Sequence, residues 1–115
     1  MPEDTLFSKI ARGEIPSTEV YSDENFYAFR DINPGAPTHV LVVPRRPIPM
    51  ITDATEADAL LLGRLLLVAN KIAEKEGLTK DGFRYVINCG AWGGQTVFHL
   101  HVHILGGRPM AWPPG

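Results

Sequence analysis

The segment from His99 to Leu105 constrains the fold most, because a histidine occupies every second position and an aliphatic residue each position between. Successive side chains of a β-strand point to opposite faces, so a strand here would place all three imidazoles on one side. The other face would be apolar and would dock on a core; it consists of Phe98, Leu100, Val102 and Ile104. The pattern therefore predicts a half-buried strand whose histidine face is free for chemistry.

Length and charge favour one small domain over residues 1–115 and exclude several classes of partner. The chain has 115 residues and a net charge of -2, and its only basic doublet is Arg45-Arg46, so no nucleic-acid partner is expected. No uninterrupted apolar run is long enough for a membrane span. The single cysteine, Cys89, and the charged N-terminal residues argue against secretion, so a cytoplasmic location is expected.

Periodicity and turn residues predict an α+β fold. A short helix is expected from Leu6, capped by Asp4 or Thr5 and stopped near Gly13, and a long helix is expected from Thr55 to the stop at Gly77. Strands are expected at 20–21, 26–32, 39–43, 83–88 and 97–105. Helices and strands do not alternate regularly, which favours an antiparallel sheet of about five strands.

The long helix is too apolar for a helix that covers only one sheet. One stripe, formed by Ala57, Leu61, Leu65, Val68 and Ile72, is enough to pack on a sheet face. Further leucines broaden the apolar surface beyond that stripe; they are Leu60, Leu62, Leu66 and Leu67. The excess predicts a homodimer paired through this helix and an edge strand.

Three histidines in alternation indicate a metal site or a catalytic site. Imidazole is a common zinc ligand, and two histidines separated by one residue can share an ion. His99 and His103, however, would have backbones about 13 Å apart in a strand, and no cysteine or acidic cluster at ligand spacing completes a set. A mechanism without metal or other cofactor is the expectation, with metal binding as the weaker alternative.

The loop before the histidines has the composition of an anion-binding loop. Residues 88–96 contain three glycines, an asparagine, a glutamine and a threonine, and such loops expose backbone N–H groups. Neutral imidazole can attack phosphorus, and imidazolium can protonate a leaving group, both near neutral pH. Loop and histidines together predict phosphoryl or nucleotidyl transfer through a histidine-linked intermediate.

These residues resemble the histidine triad (HIT) family, whose signature is His-x-His-x-His followed by two apolar residues. The likeness continues along most of the chain and is close to the Hint branch; it includes Phe29-Arg30-Asp31-Ile32, the run from Gly93 to Phe98, Gly106-Gly107-Arg108 and the terminal Trp112-Pro113-Pro114-Gly115. Thr96 stands where many relatives have serine, and the segment from Cys89 to Trp92 differs from the animal pattern.

The resemblance implies a homodimeric purine nucleoside phosphoramidase that converts adenosine 5'-phosphoramidates, such as AMP-NH2 or AMP-lysine, to AMP and an amine. It makes His101 the nucleophile, lets His103 contact the phosphate and leaving group, and gives His99 and His39 orienting roles. The implied phosphate contacts are Asn88, Gly94 and Thr96, and the ribose contact is Asp31. The implied base slot consists of Ile10, Phe29 and Ile32, and Trp112 belongs to a tail that reaches toward the partner's site.

Other interpretations remain open at this point. Without the resemblance, Phe29 and Ile32 would be assigned to the core and Asp31 to a solvated turn. A dinucleoside polyphosphate hydrolase would use the same histidines, although the Trp-Pro-Pro-Gly tail weighs against it. A non-catalytic AMP-binding scaffold is less favoured, because binding alone needs no nucleophile. The related transferase branch has glutamine at the third histidine, so His103 favours water as the acceptor.

Overall fold

A computed structural model describes residues 4–115, which form a five-stranded antiparallel sheet with a helix on each face. The elements in chain order are α1 (Leu6–Ala11), β1 (Glu19–Ser22), β2 (Phe26–Arg30), β3 (Thr38–Pro44), α2 (Ala59–Lys75), β4 (Arg84–Val86) and β5 (Val102–Gly106). The strand order is β1-β2-β3-β5-β4. The predicted α+β architecture, with about five strands, one long helix and one short helix, is confirmed.

Alternating side chains of the central strands divide the core into two layers. Val40 and Val42 of β3 face α2, where they pack with Leu65, Ile72 and other buried residues. The residues between and after them, Leu41 and Val43, face α1 on the other side. The histidines lie on the α1 side, so the short N-terminal helix covers the face of the sheet that carries them.

The long helix begins later than its sequence pattern predicts. Thr55 precedes a single 3-10 turn, Glu56–Asp58, and the α-helix starts only at Ala59. The Asp58 carboxylate accepts a hydrogen bond from the Thr55 N–H at 2.9 Å and pairs with Arg46. The carboxylate thus stabilises the tight turn that precedes the helix. Within residues 4–115, no helix has both the length and the apolar character needed to cross a membrane.

The histidine strand is shorter than predicted. Strand β5 begins at Val102, and residues 97–101 lie outside the sheet. The N–H of Leu100 donates to the carbonyl of Ile48 at 2.6 Å, so this part of the backbone bonds to a loop rather than to a strand. Leu100 is nevertheless buried, whereas the predicted core residue Phe98 is 47% exposed. The prediction that the strand starts at Val97 and that Phe98 packs in the core is wrong.

Candidate active site

Pairing of β3 with β5 brings the fourth histidine to the other three. Leu41 of β3 is paired with His103, so His39, two residues earlier on the same face, is a diagonal neighbour of His103. The His39 Nε2 and His103 Nδ1 atoms are 2.9 Å apart. The ring of His101 lies 5.0 Å from that of His103, centroid to centroid. The four histidines therefore form one connected group, although His99 and His101 precede the strand.

The face that carries the histidines is covered rather than open. His99 is fully buried and His101 is only 7% exposed. Phe7 of α1 lies edge-on to the His101 ring, with the centroids 5.0 Å apart. The expectation of a histidine face left free is wrong for these two rings, because the apolar side of α1 packs against it.

The hydrogen bond of His101 leaves its second ring nitrogen without a proton in the neutral ring. Its Nδ1–H donates to the carbonyl oxygen of His99 at 2.6 Å, a contact that requires the proton on Nδ1. In the neutral ring Nε2 then carries the lone pair. Burial lowers the pKa of His101 and so favours this neutral form. His101 thus has the protonation state that a nucleophile needs.

His99 is fixed in one tautomer by two partners. Its Nε2–H donates to the carbonyl of Pro44 at 2.7 Å, and its Nδ1 accepts from the Thr5 hydroxyl at 2.6 Å. Thr5 also accepts from the Ser8 N–H as the cap of α1. Sequence reasoning identified Thr5 only as a cap, because nothing local in the sequence shows that it contacts His99, 94 residues away. Both nitrogens of His99 are thus occupied, and its carbonyl oxygen accepts the hydrogen bond from His101.

His39 and His103 form a directed pair. The N–H of Gly35 donates to His39 Nδ1 at 2.9 Å, so the neutral His39 ring carries its proton on Nε2. That Nε2–H donates to His103 Nδ1, which leaves the His103 proton on its own Nε2. The His103 Nε2 atom is buried and has no hydrogen-bond partner among the described residues. Burial, and then the neighbouring His101 and His39, lower the pKa of His103 to about 4. A buried donor without an acceptor is costly, so an acceptor on a substrate would stabilise it.

Asp31, His39 and His103 are also spaced so that they could hold a metal ion, since one ligand atom from each lies within 4.8 Å of the others. The hydrogen bond from Gly35 opposes this use. A neutral His39 that binds metal through Nε2 must carry its proton on Nδ1, where it would face the Gly35 N–H, donor against donor. The donor set therefore fits a hydrogen-bonded pair better than a metal centre. Spacing along the sequence does not identify this trio, because Asp31 follows β2 and His39 lies on β3, both far in sequence from His103 on β5.

The predicted phosphate loop is closed by a buried glutamine. Gln95 accepts from the Gly90 N–H at 2.9 Å and donates to the carbonyls of Pro49 and Val97. Gly94 has a positive φ of 86°, and a Cβ there would lie 3.8 Å from Asn88 Nδ2. Asn88 and Gly94, two predicted phosphate contacts, are thus neighbours. Gln95 was not among the predicted site residues, and its burial is visible only in the fold.

The remaining predicted contacts occupy different environments. Ile10, on α1, and Phe29, on β2, are 8% and 5% exposed in the core between α1 and the sheet. The core assignment made without the resemblance is thus right for Phe29 and wrong for Ile32, which is 92% exposed. Trp112 is 82% exposed, and Thr96 is exposed on the loop. Asp31 accepts from the Asn33 N–H at 2.8 Å and lies 3.5 Å from His39 Nε2. The structure thus connects Asp31 to the histidines and leaves Trp112 on the surface.

As pH falls, this protein should begin to lose stability before its carboxylates titrate. The pKa values of His39, His99, His101 and His103 are all lowered, mainly by burial. Between their folded pKa values and the ordinary value of about 6.5, the unfolded chain binds more protons, so stability falls as pH falls. Urea unfolding followed by circular dichroism should show a lower free energy of unfolding at pH 5 than at pH 7. The variant His103→Gln should weaken this dependence, and a stability that is constant from pH 7 to 5 would contradict the expectation.

Comparison with known proteins agrees with this arrangement. The family model for the HIT domain matches residues 12–110. An uncharacterized HIT-like protein of Synechocystis is 58% identical over 115 residues, which is all of both chains. The purine nucleoside phosphoramidase of Escherichia coli strain K12 is 52% identical over 110 residues, 96% of this chain and 92% of the relative.

Solved structures give the same result. A HIT family hydrolase from Legionella pneumophila superposes with a TM-score of 0.95 at 52% identity and covers 97% of this chain and 100% of its own. A histidine triad protein from Clostridium difficile gives 0.91 at 45% identity, with 96% of each chain covered. On the matched domain and these full-length similarities, the chain belongs to the HIT family, among relatives that include hydrolases.

Proposed function

We propose that this protein hydrolyses the P–N bond of adenosine 5'-phosphoramidates, AMP-NH2 and AMP-lysine among them, through a nucleotidyl-histidine intermediate. The observation that carries the proposal is the state of His101, whose Nδ1–H is held by the His99 carbonyl while Nε2 keeps its lone pair. The Nε2–H of His103, which has no hydrogen-bond partner within residues 4–115, lies on the neighbouring ring. A nucleophile beside a buried donor is what nucleotidyl transfer requires. The phosphoramidase of Escherichia coli, at 52% identity, supports this choice of bond.

The first chemical step transfers the nucleotidyl group to the enzyme. The lone pair of His101 Nε2 forms a bond to the α-phosphorus as the P–N bond breaks, and the electron pair of that bond leaves with the nitrogen. The nitrogen takes one proton from solvent and departs as the amine. His103 Nε2–H donates a hydrogen bond to the phosphoryl oxygen or the leaving nitrogen. The carbonyl of His99 stabilises the positive charge that the phosphorylated His101 ring acquires.

The second step returns the enzyme to its starting state. Water attacks the same phosphorus, the bond to His101 Nε2 breaks, and its electron pair returns to the ring. One proton is released to solvent, which balances the proton taken up with the amine. The products are AMP and free enzyme. No metal is assigned a part, since the hydrogen-bonded pair supplies the donor near the phosphate.

Substrate binding follows from the same surfaces. We propose that the loop at Asn88, Gly94 and Thr96 contacts the phosphate and that Asp31 accepts hydrogen bonds from the ribose hydroxyls. The base slot would have Ile32 at its exposed rim and Ile10 and Phe29 beneath it. The short distance from Asp31 to His39 would then place the ribose next to the histidine pair.

The test is AMP release from adenosine 5'-phosphoramidate, measured beside release from diadenosine polyphosphate, each with and without a chelator. Preferred turnover of the phosphoramidate, unchanged by the chelator, is the expected result. Preference for the dinucleotide would assign the protein to the alternative hydrolase reaction. Absence of turnover with retained AMP binding would favour a scaffold. Activity that is lost on adding the chelator and restored by zinc would assign a metal to Asp31, His39 and His103.

We also propose that two copies pair through α2 and the edge strand β4. Leu60 and Leu67 lie outside the buried face of α2, and their side chains are 68% and 61% exposed. Gly63, between them, has open space above it. Strand β4 is the last strand of the sheet, so its outer backbone groups lack a strand partner among the described residues. Such a pair would also bring the exposed Trp112 tail near a second site.

Sedimentation should show a dimer at micromolar concentration. Leu67→Glu should shift the protein toward monomer, because it places a charge in the apolar patch. Lys80→Glu, which adds the same carboxylate at an exposed position outside α2, should leave the dimer intact. A wild-type protein that sediments as a stable monomer would contradict the pairing.

The free thiol of Cys89 is consistent with the proposed cytoplasmic location, which fractionation of cells would test.

A further inference from the structure

The turn that fixes the His39 tautomer is itself held by the segment after β5. The last register pair between β3 and β5 is Thr38 with Gly106. Beyond it, the two chain segments continue side by side, one toward Gly35 and the other toward Arg108. The guanidinium Nη2 of Arg108 donates to the carbonyl oxygen of Gly35 at 3.0 Å. The N–H of the same Gly35 donates to His39 Nδ1.

A second contact holds the same turn from the same side. Gly107 has a φ of +93°, and a Cβ there would lie 2.8 Å from the Cβ of Pro37. The backbone of Gly107 therefore approaches Pro37 more closely than a residue with a side chain allows. Gly35 and Arg108 are both exposed, whereas Ala36, between Gly35 and Pro37, is buried and anchors one side of the turn. The two contacts from residues 107 and 108 restrain it.

We infer that Arg108 is a positioning residue for the histidine pair, acting through the backbone on the two sides of Gly35 Cα. Arg108 holds the Gly35 carbonyl, which belongs to the peptide unit after Gly35 Cα, and so restrains this turn. The N–H of the peptide unit before that Cα points at His39 Nδ1 and keeps the His39 proton on Nε2. The His39 Nε2–H donates to His103 Nδ1, and the proton of His103 remains on Nε2, a buried atom with no hydrogen-bond partner among the described residues. Loss of the Arg108 contact would free the peptide unit after Gly35, and because glycine permits wide changes in φ and ψ, the preceding N–H would no longer be held toward His39. His39 could then carry its proton on Nδ1, and His103 would lose its fixed donor.

The inference rests on the proposed function only in treating His103 as the donor to substrate; its effect on the His39 tautomer is independent of any substrate. The test uses Arg108→Met, which removes the guanidinium and keeps an unbranched side chain. Arg108→Lys restores a donor that can reach a carbonyl. Arg64→Met makes the same change at an exposed arginine of α2, on the opposite side of the sheet.

Imidazole nitrogen NMR of the full-length protein reports the tautomer of each histidine. In the wild-type protein, His39 and His99 should both show the proton on Nε2. In Arg108→Met, His39 should become a mixture of tautomers while His99, which is held by Thr5 and Pro44, stays unchanged. Arg108→Lys should recover the wild-type His39 signature, and Arg64→Met should not alter it.

Kinetics with adenosine 5'-phosphoramidate provides the second measurement. Arg108→Met should lower kcat by about tenfold or more with KM changed much less, because a donor displaced by about an ångström costs rate rather than affinity. A His39 tautomer that stays fixed in Arg108→Met would overturn the inference, as would an equal change in His99. If the wild-type protein does not turn over the phosphoramidate, the proposed function fails, whereas the NMR result still decides the role of Arg108.

Discussion

Replacing His101 by alanine should abolish AMP release from adenosine 5'-phosphoramidate, with a loss of at least about 10⁴-fold in kcat. The described site offers no second imidazole in the same state. Both nitrogens of His99 are occupied, and those of His39 bond to Gly35 and His103. Of the His103 nitrogens, Nδ1 accepts from His39 and Nε2 carries a proton. His101 Nε2 is therefore the nitrogen with a free lone pair beside a donor.

Binding of AMP should survive the same substitution. The proposed phosphate and ribose contacts at Asn88, Gly94 and Asp31 do not involve the His101 ring, so the Kd for AMP measured by calorimetry should change only a few-fold. Rapid quenching of the wild-type protein in alkaline denaturant, which preserves the acid-labile P–N bond of the adduct, followed by mass spectrometry, should detect the nucleotidyl group on the peptide that contains His101. The adduct should be absent from His101→Ala. A variant that keeps the normal rate, or an adduct on another histidine, would contradict the assignment.

Leu65→Ala should cost about 2–5 kcal/mol of the free energy of unfolding. Leu65 is 1% exposed and packs among Val40, Val42 and Ile104, the strand residues that face α2. Removing most of its side chain leaves a cavity that β3 and β5 cannot fill without moving. Those two strands are paired with each other along the whole of β5, so the ladder limits how far the core can collapse around the gap.

The matched control is Leu66→Ala, one position further along the same helix. Leu66 is 42% exposed, and alanine has the higher helix propensity at either position, so a loss below about 1 kcal/mol is expected. Urea unfolding of the two variants and the wild-type protein at one protein concentration gives both values. Equal losses at the two positions would contradict the placement of Leu65 in the core.

Local patterns in the sequence predicted the elements better than their ends. The three imidazoles do lie on one side of the sheet, as the alternation from His99 to Leu105 indicates, although the strand itself starts at Val102. Backbone hydrogen bonds to Ile48 and side-chain bonds to Thr5 hold His99 and Leu100 outside the ladder. Alternation is a property of any extended segment, so it could not show whether this segment had a strand partner.

Periodicity and motif spacing, which are local properties of the chain, predicted the class of fold, the family and the row of His99, His101 and His103, whereas His39 joined them only through the family resemblance. The positions of the ring protons depend on the folded structure. The tautomer of His39 depends on Gly35, that of His99 on Thr5 and Pro44, and that of His101 on a backbone carbonyl. Most of these partners are distant in sequence or belong to the backbone. A hydrogen bond is set by a distance of about 3 Å in space, and residue order does not encode that distance until the sheet has formed.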